Sequence, residues 1–278
     1  MQMPESHPIL TSPGDVPQPV AGAPLAIAPA WHTVVLLFGI LAISFNGTAR
    51  VVPALAHRSQ GHLFTYATTA AMELLMLGWV ALGLCLRRVP FRSLFGVVRR
   101  GVRGFAVDLG VAVLFWFGSM IVLASIGLAW NAVEFAAAHK GAPPSPSERM
   151  QPSAQQKQTL ETLERLAPGS GMEIAGWVAL CLLVGPVEEA IFRGYLQRQF
   201  TAWSCGRIAV GVAGSALVFG AAHGYEGLRS MVLLAVFGAL FSGLALLRRG
   251  LRAGIFAHSG HDLFVGLLLA FVRMHHLF

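Results

Sequence analysis

The sequence predicts an all-α polytopic membrane protein, a bundle of about seven transmembrane helices (eight if one span is hidden) around a polar intramembrane cavity. Three observations carry that expectation. Hydrophobic residues make up 55% of the chain and charged residues only 12%, about half the charged share of a soluble domain, and the mean hydropathy is +0.64. Apolar runs of roughly spanning length recur along the chain. Three polar clusters bearing ionisable residues sit in or at the end of those runs, where each such residue is costly unless it pairs or faces water.

The elements follow in order. Residues 1–30 carry prolines at 4, 8, 13, 17, 19, 24 and 29 and no Lys or Arg. They predict a disordered Pro-rich tail without the basic n-region of a cleaved signal. Residues 31–130 form an N-terminal transmembrane region with spans at Trp31–Phe45, Leu63–Leu86 and Phe105–Trp130. Residues 131–173 read as an extramembrane loop, with the Pro-rich patch GAPPSPSERMQP followed by a short surface helix through Leu160, Leu163 and Leu166. Residues 174–278 form a C-terminal transmembrane core with spans at Ile174–Phe200, Ile208–Ala222, Met231–Leu247 and Ala253–Val272. The spans at 31–45 and 208–222 are short for a bilayer. No internal repeat is evident, which leaves an inverted-repeat transporter with little support.

The formal charge of +7 comes mostly from arginine, and its placement sets orientation. Arg87, Arg88, Arg92, Arg99, Arg100 and Arg103 crowd the loop after the second span. Arg193, Arg198 and Arg207 surround the loop after the fourth, and Arg248, Arg249 and Arg252 the loop after the sixth. Seven spans put all three loops on one side, and the positive-inside rule makes that side cytoplasmic. The N-terminus is then cytoplasmic and the C-terminus external. Arginines beside spans serve the lipid bilayer and not nucleic acid. Arg-dominated basic usage and compact size suggest a bacterial inner (plasma) membrane. Cys85, Cys181 and Cys205 form no metal-ligand spacing and lie in or beside spans, so they read as small apolar residues and not as thiol catalysts.

Three polar clusters carry the chemistry. Gly185-Pro186 precedes Glu188-Glu189, and the proline removes a backbone donor and loosens the helix there. Glu189 and Arg193 are spaced i,i+4 and can pair. Glu188 is rotated by about 100° from Glu189 on an ideal helix, so it is expected to point elsewhere and to be the catalytic carboxylate. Phe219 and His223 end a helix rich in small residues, suited to close packing. His258 and Asp262 again share a face, with His261 between them. If the fourth helix runs on to about Phe200, Glu188 sits near mid-helix, roughly level with His223, in a water-filled cavity opening to the cytoplasm.

The order EExxxR, FxxxH, HxxxN/D resembles the CPBP family of intramembrane glutamic endopeptidases, also called Abi proteins or type II CAAX prenyl endopeptidases. The motifs are Glu188-Glu189…Arg193, Phe219…His223 and His258…Asp262, within roughly residues 174–265. The resemblance implies a glutamate-dependent protease that hydrolyses peptide bonds of membrane-associated protein or peptide substrates without a cofactor. Glu188 and His223 would polarise a water, and His258 with residue 262 would stabilise the oxyanion. Glu189, Arg193 and Phe219 would support them. The family pattern accepts Asp at 262, where the side chain serves either as a protonated donor or by orienting His258.

Other readings use the same residues. Glu188, His223 and His258 could form a His2Glu zinc set, although the HExxH helix of a zincin is absent. A non-catalytic membrane scaffold or bacteriocin-immunity-type protein would keep the helical core and act by binding partners. A transporter with a carboxylate relay would draw on Glu73 and Asp108, and Glu73 is otherwise expected to hydrogen-bond within the bundle.

Overall fold

The computed structural model describes residues 25–56, 61–98, 101–139, 157 and 167–274, with side chains omitted at 46–56, 138 and 139. Within them the chain is a polytopic helical membrane protein. Five helices are long and apolar enough to cross a bilayer: α2 (His62–Leu86), α3 (Gly101–Ala137, helical to His139), α4 (Gly171–Trp203), α6 (Leu228–Arg248) and α7 (Arg252–Met274). The first and fifth helices, α1 (Ala30–Ala56) and α5 (Ile208–Ala222), supply shorter apolar stretches at Ala30–Phe45 and Ile208–Ala222. Each of the seven expected spans thus has a helix.

Two differences from the expected layout have local causes. α3 continues nine residues past Trp130 because 131–139 contains no Pro or Gly to stop it. Residues 1–24 of the expected tail, and 140–156 and 158–166 of the expected loop, lie outside the described residues, as does the surface helix through Leu160. α4 is not a plain α-helix. It is α-helical over Gly171–Glu188 and π-helical over Glu189–Leu196, and it resumes as α-helix over Gln197–Trp203. Pro186 lies one turn before the π segment. Proline cannot donate to the carbonyl one turn back, and widened turns occur where that ladder is broken, frequently at functional sites.

The arginine-bearing segments meet at one end of the bundle. A short 3-10 turn, Phe91–Phe95, follows α2, and the next residues pair with the α6–α7 turn: the N–H of Val97 donates to Arg249 O at 2.7 Å and that of Leu251 to Phe95 O at 3.1 Å. Arg198 of α4 donates to Ser93 O at 2.9 Å. Asp108 of α3 pairs with both Arg248 and Arg252, the latter's Nε at 2.6 Å. Asp108 is therefore a clasp between helices, which removes it from any carboxylate relay.

α4 is the axis of the bundle. Its π segment is wholly buried and packs into a core with Leu36 and Ile40 of α1, Val80 and Leu84 of α2, and Phe219 of α5. Buried polar bonds fix α1 against it. His32 Nδ1 lies 3.0 Å from the Tyr195 hydroxyl, which also bonds Thr33 at 2.8 Å, and the Gln199 amide accepts from the N–H groups of Ile27 and Ala28. With no water at this depth, each bond satisfies groups that would otherwise be stranded.

Candidate active site

Two of the three polar clusters meet at one imidazole, and the second cluster approaches it through the Phe219 ring. His258, 5% exposed on α7, faces α4. Its Nδ1 lies 3.1 Å from Glu189 Oε1, and its Nε2 lies 3.4 Å from Glu188 Oε2. The i,i+4 partner of Glu189 is in place, with Arg193 Nη1 2.9 Å from Glu189 Oε1 and both side chains fully buried. Arg193 also donates to Gly238 O at 3.3 Å, and its guanidinium sits 4.4 Å from the centroid of the Phe219 ring and 5.0 Å from that of Phe241. An arginine stays charged, so Glu189 is an acceptor and His258 Nδ1–H donates to it. The other ring nitrogen, Nε2, faces Glu188 and Asp262.

Glu188 does not point away from Glu189's partner, as an ideal helix would have it. Both carboxylates reach the same ring, one at each nitrogen, at the junction of the α and π segments. Exposure separates the two. Glu189 is sealed at 0%, while the Glu188 side chain is 12% exposed and that of Asp262 is 27% exposed. Glu188 and Asp262 therefore line the accessible side, and Glu189 with Arg193 forms the dry side.

Asp262 lies 3.9 Å from His258 Nε2, beyond hydrogen-bond length. Glu189, within hydrogen-bond reach of Nδ1, is nearer to the ring than Asp262, which stays within ion-pair range of Nε2. His261 faces elsewhere and accepts from Trp116 Nε1 of α3 at 3.1 Å.

His223 closes the site from α5. Its Nδ1 lies 2.9 Å from Phe219 O, so Nδ1–H donates there and Nε2 is the free basic atom. Phe219 separates it from His258, with ring centroids 5.0 Å from His223 and 6.0 Å from His258. After α5 the chain turns through Gly224–Glu226, and this turn adds two groups that no motif marked. Glu226 interacts electrostatically with His223 and Glu188, and Tyr225 with Glu188 and Asp262. Burial pushes the Glu226 carboxyl above its usual range, with Glu188 adding to the shift and His223 and Tyr225 opposing it.

A further carboxylate approaches from α2. Glu73 is 8% exposed, interacts electrostatically with Glu188 and His258, and has a buried Oε2 without a hydrogen-bond partner. It faces the site, which the expectation of a hydrogen bond within the bundle did not capture. The signal was an intramembrane carboxylate, but nothing in its spacing tied it to α4. Among the described residues, no group of three or more His, Cys, Asp and Glu is disposed to hold a metal ion.

The arrangement combines a fixed imidazole, an accessible carboxylate beside it, and a second imidazole with its Nε2 uncommitted, inside an apolar bundle. Such a set can abstract and return a proton and face a developing negative charge. No curated protein and no solved structure matched the chain. Residues 170–264 match the family model described as Type II CAAX prenyl endopeptidase Rce1-like, a segment that spans Glu188, His223, His258 and Asp262. Over residues 170–264 the chain is therefore similar to the Rce1-like type II CAAX prenyl endopeptidase family.

Proposed function

We propose that the protein is a glutamate-dependent intramembrane endopeptidase that hydrolyses peptide bonds of membrane-associated protein substrates. The observation that carries this reading is the bracketing of one buried imidazole by two carboxylates of different exposure, Glu189 at Nδ1 and Glu188 at Nε2. Glu188, with His223 Nε2, takes a proton from a water whose oxygen attacks the scissile carbonyl carbon. His258, carrying a proton on each ring nitrogen between Glu189 and Glu188, donates Nε2–H to the oxyanion that forms, with Asp262 beside it. Glu188 then returns the proton to the leaving nitrogen as the C–N bond breaks, giving a new carboxylate and a new amine. Positioned proton transfer of this kind contributes about 10²–10⁴-fold to a rate. The test is N- and C-terminal peptide mapping of proteomes from cells carrying the native chain and from cells carrying Glu188→Ala. New termini in membrane-associated proteins, present only with the native chain, are expected. Identical termini in both would overturn the proposal.

The same reading places the chain in a bacterial inner membrane with its arginine-rich end toward the cytoplasm, supported by the convergence of Arg198, Arg248 and Arg252 with the 91–97 segment. On a background with Cys85, Cys181 and Cys205 replaced, cysteines introduced in 131–172 are expected to react with an impermeant reagent added to intact cells. Cysteines in 87–104 are expected to stay unlabelled. The opposite pattern would invert the orientation.

A further inference from the structure

α1 lies outside the segment that matches the family, yet it reaches the turn that carries His223. Ser44, 2% exposed on α1, donates its hydroxyl to Ala221 O at 2.6 Å, and its oxygen accepts the N–H of Gly224 at 2.9 Å. These are two of the backbone groups left over where α5 stops. In a continuing helix Ala221 O would receive the N–H of residue 225, and the Gly224 N–H would go to Gly220 O. Here the N–H of His223 takes Gly220 O at 3.1 Å instead. One hydroxyl from a different helix bonds both groups where α5 ends at Ala222 and the chain turns through Gly224–Glu226, with the N–H of Glu226 donating to His223 O at 3.0 Å.

The consequence for His223 is geometric. Its ring is anchored by Nδ1 to Phe219 O within α5, so where Nε2 points depends on how the last turn of α5 is finished. Ser44 is itself held in depth, because α1 is fixed to α4 through His32, Thr33, Tyr195 and Gln199. A chain of buried contacts thus runs from the π segment bearing Glu189, through α1, to the turn bearing His223.

We propose that Ser44 is a positioning residue for His223, setting the end of α5 so that the imidazole Nε2 faces the accessible side of Glu188. The proposal rests on the hydrolase reading above, in which His223 acts on the water. A cap of purely structural use would influence stability alone. A positioning cap must also influence turnover and the environment of the His223 ring.

The test uses the full chain in phospholipid vesicles and a peptide spanning a cleavage site found by terminal mapping, with Ser44→Ala, Ser44→Thr and His223→Ala compared. His223→Ala is expected to abolish cleavage. Ser44→Ala is expected to lower kcat by about tenfold to a hundredfold with little change in KM, the scale of a misplaced catalytic group. Ser44→Thr, which keeps the hydroxyl, is expected to recover most of the loss. A second readout needs no activity: carbethoxylation of His223 by diethyl pyrocarbonate, followed by mass spectrometry. Its rate is expected to change severalfold in Ser44→Ala and to stay native-like in Ser44→Thr, with His258 unaffected in both. Native cleavage in Ser44→Ala, equal losses in the Ala and Thr variants, or an unchanged His223 modification rate would each overturn the positioning role while leaving the hydrolase reading intact. A native chain that cleaves nothing overturns that reading, and this one with it.

Discussion

Glu189→Gln is expected to deplete the folded protein, whereas Glu188→Gln is expected to leave it folded and remove turnover. The two residues are adjacent and both touch His258, so the contrast isolates what each contact does. Glu189 and Arg193 are fully buried and 2.9 Å apart. Neutralising the glutamate strands a guanidinium at membrane depth, and removing one partner of a buried pair costs about 3–5 kcal/mol. It also takes the charge from the acceptor that fixes His258 Nδ1. Glu188 has no such dependant. It faces the accessible side, and its Oε2 lies 3.4 Å from His258 Nε2 without a hydrogen bond. Losing it should change the unfolding temperature little while turnover falls by about 10²–10⁴-fold, the contribution of a general base. Unfolding in lipid vesicles and cleavage of a mapped substrate peptide measure the two effects. Equal destabilisation by both changes, or near-native turnover in Glu188→Gln, would contradict this division.

The span pattern was legible because bilayer thickness fixes helix length and the apolar runs are broken by arginines, glycines and prolines. The pair Glu189–Arg193 was legible for a similar reason, since i,i+4 spacing puts two side chains on one face. The facing of Glu188 was not. A 100° rotation separates two neighbouring side chains on α4 but does not show that one imidazole from α7 meets both, one at each nitrogen. Gly185-Pro186 signalled a disturbance there but not its kind. Partners from distant helices were also hidden. Nothing around Ser44 or Glu73 shows that α1 and α2 pack against the motif helices, because an apolar helix surface in a membrane bears no periodicity that separates neighbour from lipid.

The first two helices therefore belong to the site as much as the motif helices do. Ser44 finishes the turn at His223, and Glu73 brings a further buried carboxylate into the field of Glu188 and His258. α3 works at a distance by clasping the α6–α7 turn through Asp108, which fixes the start of the helix carrying His258. The matched segment holds the groups proposed to react, and the helices before it hold the segment in register.

Gly185→Ala is expected to abolish turnover by forcing α4 and α7 apart. A Cβ at position 185 would meet Ser259 Oγ at 2.2 Å, and behind it the Ser259 backbone N at 3.0 Å and Cα at 3.2 Å. A hydroxyl can rotate away, but backbone cannot, so the helices must separate. One turn further along, the same interface brings position 254 within 3.0 Å of Glu189 Oε2. Glu188 and Glu189 meet His258 across this interface, at distances that leave no slack. Overpacking of this kind costs about 1–3 kcal/mol, and a shift near 1 Å at a reacting group can cost about 10²-fold in rate. Gly118→Ala on α3 is the matched control, because a Cβ there meets nothing within 4 Å. That change should be neutral or stabilising by about 0.5–1 kcal/mol, since alanine is the better helix former. Turnover and unfolding temperature of the two variants in vesicles decide the matter. Native turnover in Gly185→Ala would mean that the α4–α7 contact is not what sets the geometry of the site.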